Sequence, residues 1–161
     1  MVQIYDLNSY YSRLFWFDIP FGFCHNVTVE AKTPKEFFMA CYGSDQGTFI
    51  FEFDETETVV PICRRGDIRT RLATICCSTL VFVDMNEDWL CSWSFLQENA
   101  GIIHHFRLPL EMFSGFIKPA TLECDQEGII KITVLDHVIY GREYVKEFKI
   151  KSLKRVLSRG F

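Results

Sequence analysis

Seven cysteines and four histidines are the side chains in this chain best suited to holding a metal or attacking a substrate. The cysteines stand at 24, 41, 63, 76, 77, 91 and 124 and form no C-x-x-C pair, the spacing that usually marks a zinc site. Cys76-Cys77 and His104-His105 are adjacent, and neighbours on a strand point to opposite faces. They read as small thiols and ordinary sheet histidines. Nucleophilic catalysis has no signature either: there is no G-x-S-x-G elbow, no P-loop and no G-x-G-x-x-G. Asp54-Glu55-Thr56-Glu57, the densest acidic group, reads as a solvated turn rather than an acid–base pair. The sequence assigns no catalytic residue, no metal ligand and no cofactor, and it points away from an enzyme.

Charge is more informative. Arg64, Arg65, Arg69 and Arg71 cluster within Arg64-Arg65-Gly66-Asp67-Ile68-Arg69-Thr70-Arg71. Residues 142–161 hold seven basic and two acidic residues, a net of +5, on a chain whose total is −4. Lys149, Lys151, Lys154 and Arg155 of that tail join the four arginines as contacts for a polyanion. The acidic remainder repels phosphate, which limits any nucleic-acid surface to these two patches. Arg65-Gly66-Asp67 matches the integrin tripeptide by chance.

At 161 residues, with 48% hydrophobic and 24% charged, the chain can bury a core and is not a disordered polymer. Its longest uncharged run, Leu72 to Val83, is 12 residues, short of the roughly 20 that a membrane-spanning helix needs. No basic segment followed by an apolar one opens the chain. An odd number of cysteines then reads as reduced thiols in the cytoplasm or nucleus, and Asn26-Val27-Thr28 as an unused glycosylation sequon.

Something must position these groups, and the hydrophobic pattern says it is mostly strands. Thr33-Pro34-Lys35-Glu36 has the form of a capping box and predicts a short helix through Phe37, Phe38, Met39 and Cys41 to Gly43. A second helix is expected over Ser9 to Phe17, and a terminal one from Ser152 to Arg159. Period-two runs predict strands over Thr48–Phe53, Thr58–Cys63, Asp67–Ile75, Thr79–Val83, Trp89–Leu96, Ile102–Leu108, Ile129–Leu135, His137–Tyr140 and Tyr144–Ile150. Pro61 suggests an edge or a bulge. About nine strands with one or two short helices predict an all-β sandwich, with an OB-like barrel as the alternative. Residues 1–161 read as one domain, with 1–24 as a mobile N-terminal segment and 142–161 as a basic extension.

Gly101-Ile102-Ile103-His104-His105-Phe106-Arg107-Leu108-Pro109 and the following Ile117 to Val134, with its Ala120, Asp125, Gly128 and Ile132, resemble two consecutive strands of the α-crystallin domain of small heat-shock proteins. The likeness covers 101–134; Leu135-Asp136 stands where that family has Pro-Lys, and no Ile-x-Ile tail motif follows. The resemblance implies a β-sandwich that binds proteins through sheet edges and grooves, as a chaperone-like module or adaptor. Trp89, Trp93, Phe106, Arg107 and Leu108 are the expected partner contacts. The partner is another protein or a second copy of the chain in a dimer. A single-stranded nucleic acid held by the arginine cluster and the basic tail is the alternative.

Overall fold

The computed structural model describes residues 2–6, 12–17, 26–33, 36–44, 46–54, 56, 58–84, 89–108, 120–125, 127–134 and 137–142. These form thirteen strands: β1 (Val2–Asp6), β2 (Ser12–Phe17), β3 (Asn26–Thr33), β4 (Glu36–Ser44), β5 (Gly47–Phe53), β6 (Val59–Arg65), β7 (Ala73–Cys76), β8 (Thr79–Asp84), β9 (Trp89–Trp93), β10 (Ile103–Arg107), β11 (Ala120–Cys124), β12 (Ile129–Val134) and β13 (His137–Arg142). All pairings are antiparallel, and each sheet joins strands consecutive in sequence: β1-β2, β3-β4-β5-β6, β7-β8-β9-β10 and β11-β12-β13. None closes into a barrel, so the protein is an all-β sandwich and the OB-like alternative is not what forms.

The sheet β7–β10 lies in the middle. Strand alternation turns Leu80, Phe82, Cys91 and Trp93 to one side, where they meet Phe38, Ala40, Tyr42 and Ile50 of the β3–β6 sheet. Val81, Val83 and Leu90 turn to the other side and meet Leu122, Ile130 and Ile132 of β11 and β12. A disulfide between Cys76 and Cys124 ties β7 to β11 across that second layer. The expectation that every cysteine is a reduced thiol is corrected here, because β7 and β11 bring these two side chains together. Cys41, Cys63, Cys77 and Cys91 stand outside this disulfide.

Both helices expected in the described residues are strands. Glu36 N donates to Thr33 Oγ1 at 3.1 Å, so the bond that a capping box predicts is made. It joins the ends of β3 and β4, where Thr33 and Glu36 are register partners. Beyond it, Phe37, Met39 and Cys41 pack on one face of β4, and Phe38, Ala40 and Tyr42 on the other. Burying an apolar run on both sides demands strand geometry, and that overrides the local cap. Ser12–Phe17 likewise pairs with Val2–Asp6, so the N-terminal segment carries a hairpin. The terminal helix, the strand over 144–150 and all of the basic tail beyond Arg142 lie outside the described residues.

The strand expected over Asp67–Ile75 is shorter, beginning only at Ala73. Its first half is an irregular segment pinned to the core by buried hydroxyls. Thr48 Oγ1 donates to Ile68 O at 3.0 Å, and Thr70 Oγ1 to Val83 O at 2.8 Å. Pro61 sits on an edge strand beside a register shift, as its missing N–H requires. The hairpin β7–β8 turns through Cys77 and Ser78, both with positive φ (51° and 57°), the conformation of a two-residue type I′ turn. Glu30 of β3 holds that turn by accepting Ser78 N at 2.8 Å.

Candidate functional site

The arginine cluster divides once folded. Arg64 donates through Nε and Nη2 to Gln46 O (3.1 and 3.0 Å) and lies over the Phe49 ring. Arg65 forms a two-pronged ion pair with Asp67 (2.8 and 2.6 Å), donates to Ala100 O and covers the Trp93 ring. That pairing holds the Asp67 carboxyl below the usual range and raises the Arg65 guanidinium. These two arginines brace β6 against neighbouring turns. Arg69 and Arg71 are exposed on the irregular segment before β7. Lys149, Lys151, Lys154 and Arg155 lie outside the described residues.

The expected partner contacts also separate. Trp93 is 5% and Leu108 1% exposed, so both belong to the core rather than to a surface. Trp89 is half-buried and Arg107 exposed, while the side chain of Phe106 lies outside the described residues. Large aromatic residues suit anchoring, but on a sheet packed on both faces Trp93 is internal.

Exposed large apolar side chains are Val60 on β6, Leu96, Ile103 on β10 and, as a pair on one strand, Val27 and Val29 of β3. Val27 (43%) and Val29 (48%) stand on the edge strand β3, on the same face as the buried Cys41 and Met39 of β4. Edges are normally blunted by proline, bulges, charge or shortness. β6 has Pro61, a register shift and two arginines; β10 has a register shift and Arg107; β7 is only four residues long. β3 has eight residues and no proline, its register shift falls only at its end, between Ala31 and Thr33, and its charged side chains are Glu30 and Lys32. Glu30 is held inward by Ser78 N, and Lys32 pairs with Glu52 at 2.6 Å over the Phe38 ring. Val27, Val29 and Ala31 alternate with polar residues, and that period of two is the strand's signal in the sequence.

Across the same sheet, at the β5–β6 register shift, Phe49, Phe51, Pro61, Ile62, Cys63 and Arg64 line an apolar pocket of about 250 Å³. Burial raises the Cys63 thiol there to about 11, which makes it a poor nucleophile at neutral pH.

One group of donors was not legible as a motif. Asp84 on β8, Cys91 on β9 and His104 on β10 bring a carboxylate oxygen, a thiol sulfur and an imidazole nitrogen within 4.8 Å of one another. His105 points the other way, its Nε2 2.8 Å from Ser92 Oγ, and burial followed by the nearby His104 lowers its imidazole pKa.

The fold and these surfaces define a layered all-β sandwich with a long edge strand that exposes two valines. No family model, no curated protein and no solved structure matches the chain. Among the described residues, no helix is long and apolar enough to cross a membrane.

Proposed function

We propose that this chain is a non-enzymatic protein-interaction module that works by strand addition at β3, and that the first occupant of that edge is a second copy of the chain. The observation that carries the reading is the exposure of Val27 and Val29 on a long edge strand with no proline. Unpaired backbone groups on such an edge bind another strand through hydrogen bonds, and alternate side chains set specificity. Antiparallel self-pairing centred on Val29 brings the two Val29 side chains face to face and sets Val27 against the partner's Ala31. Glu30 then lies opposite the partner's Thr28 and Lys32 opposite the partner's Asn26, so no like charges meet. A two-fold axis relates the two strands, as it does in most homodimers. The resemblance of residues 101–134 to an α-crystallin domain points the same way, toward chaperone-like or adaptor binding through sheet edges.

Absolute mass by light scattering behind a sizing column, at low and high salt, tests this. The expected result is a dimer indifferent to salt, because apolar strand pairing is not screened. Val27→Lys plus Val29→Lys should give a folded monomer, since both positions are exposed. A monomeric wild-type chain, or a dimer that survives the double substitution, overturns the reading.

A further inference from the structure

The middle sheet carries a second site, independent of the β3 edge. Cys91 and His104 are direct register partners across β9 and β10, and Asp84 on β8 pairs with Trp89, two residues from Cys91. Alternation sets Asp84, Cys91 and His104 on one face of three adjacent strands. A register shift follows His104 on β10. Bulges of this kind gather next to functional sites, where they re-aim a side chain. The three donor atoms lie within 4.8 Å of one another. Ligands on one zinc ion at about 2.0–2.3 Å sit closer together than that, so a small rotation of the exposed His104 and half-buried Asp84 side chains closes the set.

From this geometry we infer a zinc-binding site formed by Asp84, Cys91 and His104. The donor set selects the metal. A thiolate with an imidazole suits a borderline-soft divalent ion, and the carboxylate adds a second negative charge. Magnesium and calcium prefer oxygen ligands alone. Cys91 is fully buried at the floor of the site, while His104 is exposed, so the ion enters from the His104 side. Binding converts the Cys91 thiol to thiolate, and its proton leaves to solvent. The Trp89 ring stands edge-on to His104, with centroids 5.9 Å apart, and reports on the site. The same trio as a nucleophile, base and orienting acid is disfavoured by that burial, because an attacking sulfur must reach its substrate.

Cobalt(II) stands in for zinc as a spectroscopic probe of the purified full-length chain. Titration should give one equivalent bound, a thiolate-to-cobalt charge-transfer band, a change in tryptophan emission, and displacement of the band by zinc. His104→Ala, at an exposed position that leaves the core intact, should weaken binding at least tenfold and remove the band; Asp84→Asn should weaken it less. Cys77→Ser, which removes the exposed thiol, should leave the band unchanged. A wild-type chain without the band, or a band that survives His104→Ala, overturns the assignment. So does a band lost with Cys77→Ser, or rapid alkylation of Cys91 in a chain that binds no metal.

Discussion

Strand β8 is packed on both of its faces, whereas β3 leaves one face open. Thr79, Leu80, Val81, Phe82 and Val83 are all buried, alternately against the β3–β6 sheet and against β11 and β12. In β3 only Thr28 and Glu30 reach even partial burial. The two strands have similar content in β-branched residues, so propensity does not distinguish them; position in the stack of layers does. A continuous apolar run marks a strand between layers, and an alternating one marks a strand with an open face.

The strongest way to break this contrast is to truncate one side chain in each strand. Phe82→Ala should cost about 3–5 kcal/mol in urea unfolding, because it leaves a cavity between two packed sheets. Val29→Ala should cost at most about 1 kcal/mol. Equal losses would mean that β3 is covered in solution. The disulfide sharpens the comparison next. Removing it with Cys76→Ser plus Cys124→Ser should cost about 2–4 kcal/mol, since the bridge closes a loop of sequence separation 48 between the middle and third layers. An unchanged urea midpoint would show that apolar packing alone holds β11 to β7.

The smallest effect concerns the Arg65–Asp67 pair on the surface. The carboxyl pKa is depressed in the folded chain, so its contribution is present above about pH 4 and fades as pH falls through the folded value. Side chains this exposed limit it to about 0.5 kcal/mol. Asp67→Asn should therefore differ slightly from wild type in urea midpoint at neutral pH, and the difference should shrink as pH falls below the ordinary carboxyl range. A difference that persists in acid would show that packing, rather than charge, is what Asp67 supplies.

The all-β class and the strands β5, β8, β9, β10 and β12 were legible because each carries a clean run bounded by turn residues. β4 was not: Thr33-Pro34-Lys35-Glu36 is a genuine local signal whose bond forms, yet the two-sided burial of Phe37 to Tyr42 decides the element. The Asp84–Cys91–His104 group escaped because its members are 7 and 13 residues apart, and only strand register makes them neighbours. Motif spacing detects ligands that share one turn or hairpin, and these come from three strands. The Cys76–Cys124 bridge escaped for the same reason.

Among the described residues every sheet is a contiguous stretch of chain, with no strand inserted from elsewhere. This has a kinetic consequence. Hairpins close quickly because their ends are near in sequence, and the slow work of an all-β fold lies in distant pairings. Here each sheet can complete from local hairpins alone, so the distant contacts are confined to the docking of finished layers. During synthesis the β3–β6 sheet can form before β7 is made, and it then waits with its Phe38, Ala40 and Ile50 face uncovered until the middle sheet arrives. That interval, rather than the finished fold, is when the chain is most exposed to aggregation.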